Sequence, residues 1–191
     1  MITAQEIQDA WARLMRPDGW QQADGGRVTF RSQIIDRVKY IDFQGSAEVA
    51  DWQMDFNIWP HSWYHGGYYK AFYHAFNDIG FRSDLPAIIS GYSCGGAFAL
   101  IAAAEICDLI RAPVKIITFA APRIAWIKKP RIAANIEIIN IKVTGDPVVH
   151  LPPRLLGYRD NPGKLMQFSA PLSIGAHSPS IYAKQEIQEE V

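Results

Sequence analysis

Apolar positions along the chain fall into alternating helix-like and strand-like stretches. Thr3-Ala4-Gln5-Glu6 has the form of a capping box and opens an amphipathic helix that runs to about Leu14. Arg27 to Ile35 and Val38 to Phe43 read as strands. Only Asp36-Arg37 lies between them, which predicts an antiparallel hairpin. Gly67 to Ile79 reads as a helix. Pro86 to Ser90 is an apolar run with the look of a buried strand, and Gly96 to Ala104 continues as a buried helix. Val114 to Ala120 and Ile136 to Val143 are two further strands, and Ile181 to Val191 predicts a last helix with a fraying charged end. Strands alternating with helical segments indicate an α/β layer built on a largely parallel sheet, made mixed by the hairpin. The chain carries no repeat, linker or low-complexity segment, so residues 1–191 are expected to form a single domain.

Composition narrows the choices. The 191 residues are 49% hydrophobic and 20% charged, which suits a globular domain with a real core. Nineteen Lys and Arg balance nineteen Asp and Glu, so no basic excess recommends a nucleic-acid partner. The one basic cluster, Lys128-Lys129-Pro130-Arg131, is expected to be a solvated loop. Cys94 and Cys107 fall in one predicted turn–helix unit, where a disulfide is geometrically implausible. The N-terminus shows no signal-peptide pattern, and the longest apolar run, Cys94 to Ala104, is too short to span a membrane. A soluble, cytoplasmic protein is the expectation. Oligomeric state is not legible.

The candidate chemistry centres on Gly91-Tyr92-Ser93-Cys94-Gly95. Strand, G-x-S-x-G, helix is the context of a nucleophile elbow, in which a tight turn lifts the serine to a helix N-terminus. A serine hydroxyl needs a base within hydrogen-bond reach, and the base needs an orienting acid. In α/β-hydrolases these follow the serine in the order acid, then histidine. Asp146, in Val143-Thr144-Gly145-Asp146-Pro147, lies just past a strand end, where the functional groups of α/β sheets gather. Asp160, in the polar loop Tyr158-Arg159-Asp160-Asn161-Pro162-Gly163, is the second choice, and Asp108 sits on the helix after the elbow. Of the two histidines that follow, His150 is too close to Asp146 in the same loop, and His177, in Ile174-Gly175-Ala176-His177-Ser178-Pro179, is favoured. His61, His65 and His74 precede the serine and break the order.

At this point the chain resembles the class 3 lipases, fungal triacylglycerol lipase-like α/β-hydrolases. Tyr40-Ile41-Asp42-Phe43-Gln44-Gly45-Ser46 is similar to their strand and oxyanion turn, F-R-G-S/T. Asp51-Trp52-Gln53-Met54-Asp55 resembles D-W-x-x-D, and His65-Gly66-Gly67-Tyr68 resembles H-x-G-F. The elbow is followed by Thr118-Phe119-Ala120-Ala121-Pro122-Arg123, similar to T-F-G-x-P-R. Asp146-Pro147-Val148-Val149-His150-Leu151-Pro152-Pro153 looks like D-x-V-x-x-L-P-P. The set is in family order. It implies an α/β-hydrolase with a mostly parallel central sheet and helices on both faces. It also implies Ser93 as nucleophile, Asp146 as acid and His177 as base. The backbone N–H groups of Ser46 and Cys94 would form the oxyanion hole, supported by the Ser46 hydroxyl. The chain departs from the pattern at Gln44, where arginine is usual, and at Ala120 and Ala121, which replace a usual glycine. His177 is also further from Tyr182 than the family spacing implies.

The resemblance places a lid at about residues 47–60. Nine aromatics fall between positions 52 and 73. Trp52, Met54, Phe56 and Trp59 are the candidates for lid or acyl-site lining, with Tyr92 beside the serine as a further substrate contact. Phe72 and Tyr73 are read as core. Cys94 is read as a small packing residue rather than a second nucleophile. The expected function is carboxylic ester hydrolysis, lipase or esterase, through an acyl-enzyme. The alternatives are a phospholipase or other acyl hydrolase, or an inactive hydrolase-like binding module. No metal or organic cofactor is expected. The partners would be a lipid or small ester and, transiently, a lipid interface.

Overall fold

A computed structural model describes residues 1–45, 59–61, 63–81, 84–106 and 109–185. Helix α1 spans Ala4–Leu14 and opens on the predicted capping box. The Thr3 side chain accepts from the Glu6 N–H, and the Glu6 carboxylate accepts from the Thr3 N–H at 2.9 Å. Three strands follow: β1 (Gln21–Ala23), β2 (Val28–Ile35) and β3 (Val38–Phe43). Asp36 and Arg37 both have positive φ, 49° and 62°, as a two-residue hairpin turn matched to strand twist requires. Short strands β4 (Pro60–His61) and β5 (Tyr64–His65) lead into α2 (Gly66–Ile79), which ends on Gly80 at φ 67°. Next come β6 (Ala87–Tyr92), α3 (Cys94–Glu105), β7 (Val114–Phe119), β8 (Ala125–Trp126) and β9 (Ile136–Val143). The chain closes with β10 (Tyr158–Arg159), β11 (Lys164–Phe168) and α4 (Pro179–Ala183).

Among the described residues, seven strands form a sheet in the order β1-β2-β3-β6-β7-β9-β11. The β1-β2-β3 pairs are antiparallel, and every pair from β3 to β11 is parallel. A second, antiparallel sheet of two-residue strands runs β10-β8-β5-β4. The central parallel strands β6, β7 and β9 are buried on both faces, which explains their continuous apolar runs. On one face Ile89, Ile116 and Ile138 pack under α2 and α3. On the other, Ile88, Ile117 and Ile139 pack under α1 and α4. This is the expected α/β-hydrolase arrangement, a mostly parallel sheet between helical layers.

A buried ionic centre ties α1 to the sheet. Asp42 on β3 is fully buried. It accepts from Arg13 Nε of α1 at 3.2 and 3.3 Å, from Arg31 Nη2 of β2 at 3.2 Å, and from the Ser90 hydroxyl of β6. The two guanidiniums stack over Tyr40 and Trp20 at 4.5 and 4.6 Å, within the range of a cation–π contact.

Three readings of the sequence need correction. Tyr73 is 66% exposed rather than core, whereas Phe72 one residue earlier is buried. Neighbouring residues on a helix point a little over a quarter-turn apart, and only Phe72 faces the sheet. The last helix begins at Pro179, capped by Ser178, two residues before the predicted start, and ends at Ala183, while residues 186–191 of the predicted stretch lie outside the described residues. Tyr158-Arg159 is a strand of the small sheet, not a loop. Lys128 and Lys129 are exposed as expected, with the Lys128 ammonium 4.2 Å over the Trp63 ring. No helix among the described residues is long and apolar enough to cross a membrane.

Candidate active site

The elbow forms as its glycines demand. A Cβ on Gly91 would lie 2.1 Å from the Gly95 carbonyl oxygen, and one on Gly95 would lie 2.2 Å from that of Phe43. Strand and helix therefore meet only because both positions lack side chains. Between them Ser93 takes φ 56° and ψ −123°. Such a backbone conformation costs about 1–3 kcal/mol for a non-glycine residue. The Ser93 N–H donates to the Phe119 carbonyl at 2.9 Å, and its carbonyl accepts from Gly96 and Ala97 as α3 begins. Gly45, at the end of the turn after β3, abuts the serine: a Cβ there would sit 3.1 Å from Ser93 Cβ.

Three side chains distant in sequence meet at this point. Ser93 Oγ lies 2.9 Å from His177 Nε2, and His177 Nδ1 lies 2.8 Å from Asp146 Oδ2. Ser93, His177 and Asp146 are all buried. A histidine carrying its proton on Nδ1 donates to Asp146 and leaves Nε2 to accept from the serine. Such a relay can draw the proton from the hydroxyl as the oxygen attacks an electrophilic carbon. Asp146 is held by more than the histidine. Its Oδ1 accepts from the Val148 N–H at 2.8 Å, and its Oδ2 accepts from the Tyr182 hydroxyl at 2.7 Å. That hydroxyl also accepts from the Val143 N–H at 3.2 Å. Burial, followed by the Asp146 charge, pushes the Tyr182 phenol far above its ordinary pKa, so it stays a donor.

The remaining candidates separate. Tyr92 stacks on the His177 ring, with centroids 5.4 Å apart, and its hydroxyl donates to the His177 carbonyl. It also lines the adjacent cleft, so it both fixes the histidine and faces the open space. Cys94 is buried in the core, with Sγ 3.8 Å from the Gln44 carbonyl, as a packing residue would be. Trp59 is 76% exposed. Ser46, Trp52, Met54 and Phe56 lie outside the described residues, as does Cys107. Asp160, the second-choice acid, is committed elsewhere: Arg123 Nε donates to it at 3.2 Å, and Arg154 pairs with it. His150 is exposed, with Nε2 3.4 Å from the Thr144 carbonyl, and takes no part in the relay. Tyr182 is the residue that sequence reasoning did not place. Its distance from His177 looked like a mere departure in spacing, and one turn of helix after Pro179 brings its hydroxyl back to Asp146.

A cleft of about 390 Å³ opens beside His177. Leu14 and Met15 at the end of α1, Gly45, Tyr92, Ile174 and Pro179 contribute to its walls, with Arg16 at the same end of α1. Apolar walls beside a polar relay suit a substrate with a hydrocarbon part next to the reacting carbonyl.

The family model described as "Lipase (class 3)" matches residues 40–156, more than half of the chain. The chain belongs to the class 3 lipase family. Solved lipase structures share its fold at low identity. Lipase II from Rhizopus niveus superposes with a TM-score of 0.66 and 19% identity, over 87% of this chain and 82% of that one. A deletion mutant of Rhizomucor miehei lipase in complex with its propeptide gives 0.65 and 17%, over 88% and 69%. A triacylglycerol lipase whose catalytic centre is described as a serine protease triad gives 0.63 and 18%, over 87% and 81%. A search of curated proteins gave no match. Membership of the lipase family accounts for the order of the segments. It also explains one departure. Ala120 stands at the family's usual glycine and has φ 55°, in the left-handed region that glycine enters freely.

Proposed function

We propose that this chain is a single-domain serine carboxylic-ester hydrolase, acting on lipid or other esters with an apolar acyl part. The observation that carries this is the continuous relay from Ser93 through His177 to Asp146, at 2.9 and 2.8 Å. Ser93 Oγ attacks the ester carbonyl while His177 Nε2 takes its proton. The resulting tetrahedral oxyanion is received at the N-terminus of α3 by the Cys94 amide and by the amide of Ser46 after Gly45. His177 then protonates the departing alcohol and leaves an acyl-serine. Water, deprotonated by the same histidine, releases the acid. Asp146 keeps the imidazole in one orientation and stabilises its charged form. The serine protease triad reported for one structurally similar triacylglycerol lipase supports these roles by analogy of fold.

The lid reading belongs to this proposal. Trp59 is far too exposed for a core residue and sits before β4, so its indole is suited to meeting a lipid surface; residues 47–58 of the expected lid lie outside the described residues. The test is a nitrophenyl ester series from acetate to palmitate with the wild type and Ser93→Ala. Hydrolysis that falls about 10⁴-fold in the variant, at unchanged melting temperature, supports the proposal. Wild-type protein inert toward the whole series, or an equally active variant, rejects it.

A further inference from the structure

A second cleft, of about 270 Å³, opens on the far side of the loop that carries Asp146. It arises from a change of character along one strand. On the α2/α3 face β9 presents Ile136 and Ile138, both in that core, and then Asn140 and Lys142. The opposite face of the same strand stays apolar through Ile139, Ile141 and Val143. Across the parallel ladder Asn140 pairs with Leu165 and Lys142 with Gln167, so the polar floor spans both strands. It lies over the face of β9 and β11, between Gly163 just before β11 and His150 in the loop after β9.

The cleft is cationic. Lys142, Arg123 and Arg154 line it, with Asp160 as the one carboxylate among the described lining residues and His150 at the rim. Asp160 is already engaged by both arginines. Arg123 also donates to the Pro152 carbonyl at 3.1 Å and to the His150 carbonyl. Asn140 is tied to the Thr118 hydroxyl and the Pro162 carbonyl. The Lys142 ammonium makes no hydrogen bond or ion pair among the described residues. Burial pushes this lysine down to about 8, with the more distant Asp160 and Asp146 acting against the shift and Arg123 and Arg154 adding to it. Lys142 is half-buried, and its ammonium faces the cleft without a hydrogen-bonding or ion-pairing side chain among the described residues, so an anion entering the cleft would meet an unpaired cation.

We propose that this cleft is a binding site for a phosphate group, with Lys142 as its central ligand and Arg154 beside it. Two uncompensated positive charges call for a doubly charged oxyanion more than for a single carboxylate. The volume admits a phosphate monoester carrying a small polar remainder. The proposal does not depend on the hydrolytic reading, because none of the relay residues lines the cleft.

The test is titration calorimetry of the full chain with inorganic phosphate and with glycerol phosphate, at constant ionic strength in chloride. A parallel arm measures sedimentation with phosphatidylcholine vesicles that do or do not contain phosphatidic acid. One-to-one binding is expected, weakened about tenfold or more in Lys142→Met and to a smaller degree in Arg154→Gln. Without phosphate, Lys142→Met should melt no lower than the wild type, because a half-buried cation among other positive charges has been removed. Binding of the soluble anions alone identifies a free phosphate compound as the ligand. Lys142-dependent pelleting with phosphatidic acid identifies a lipid headgroup. Arg154 is exposed, so its variant gives a readout if the Lys142 variant fails to fold. No binding in either arm, or binding that survives both substitutions unchanged, overturns the proposal.

Discussion

Asp42 and Asp146 are both completely buried carboxylates on or just after strands of the same sheet, yet their surroundings are opposite. Asp42 is enclosed by two guanidiniums and a serine hydroxyl, so its charge is more than neutralised where it lies. Lys142 acts on Asp146 only through space, and Asp146 makes no hydrogen bond or ion pair with an arginine or lysine among the described residues. It accepts from a backbone amide, a phenol and an imidazole. Neutral donors make a buried carboxylate tolerable without cancelling its field. The uncancelled charge is directed at the one neighbour able to gain a proton, His177. The first aspartate is arranged to hold α1 on the sheet. In the proposed reaction the second would make an imidazolium favourable at the moment Ser93 loses its proton.

The sharpest way to break this contrast is to neutralise each carboxylate in turn. Asp146→Asn should lower kcat/KM for a soluble nitrophenyl ester by about 10⁴, through loss of the correct histidine tautomer, with little change in melting temperature. Asp42→Asn should do the reverse. It leaves two buried guanidiniums without a counter-charge and should cost about 3–5 kcal/mol in denaturant unfolding, while the protein that remains folded keeps most of its kcat. If the asparagine at position 146 unfolds the chain, or the one at 42 abolishes turnover in a fully folded protein, the two aspartates do not divide structure and chemistry in this way.

Tyr182→Phe refines the comparison. It removes one donor from Asp146 and leaves the Val143 N–H without its acceptor. A hydrogen bond to a charged group is worth about 1.5–3 kcal/mol, so both kcat and stability should fall, kcat by roughly tenfold. Loss of stability alone, with turnover intact, would make Tyr182 a packing residue. Trp59→Ser should have a smaller and selective effect. At about 25 cal/mol per Å² of lost apolar contact, hydrolysis of a micellar ester should drop several-fold while that of a soluble short ester is unchanged. Equal loss on both substrates would remove Trp59 from any lipid-contacting role. The smallest change is expected from Ala120→Gly, at the positive φ of that position. Relief of backbone strain is offset by the greater freedom of glycine in the unfolded chain, and a net gain under about 1 kcal/mol should appear in thermal unfolding.

Much of the site was legible in the sequence because its parts carry local signatures. The elbow has a strand before it and a helix after it, and Asp146 follows a strand end. His177 is the remaining histidine in chain order with a loop of its own. The neighbours of Asp42 were not legible. Its partners lie 29, 11 and 48 residues away, and within Tyr40-Ile41-Asp42-Phe43 it reads as an ordinary polar strand position. The strands of the small sheet are two residues long, below any length at which alternation can be read. Lys164–Phe168 is an edge strand, with much of it exposed, so no apolar run announces it. Lys142 hides in the opposite way: the apolar residues on either side of it belong to the other face of the strand and mask a polar cleft.

The central claim is that Ser93 is the activated nucleophile. A serine-directed phosphonate ester, incubated with the whole chain and followed by peptide mass spectrometry, addresses it directly. The account predicts a single stoichiometric adduct on Ser93, with Cys94 unmodified. Labelling should be slowed strongly in His177→Ala and absent in Ser93→Ala. An adduct on another residue, accompanied by ester hydrolysis that persists in Ser93→Ala, would contradict it.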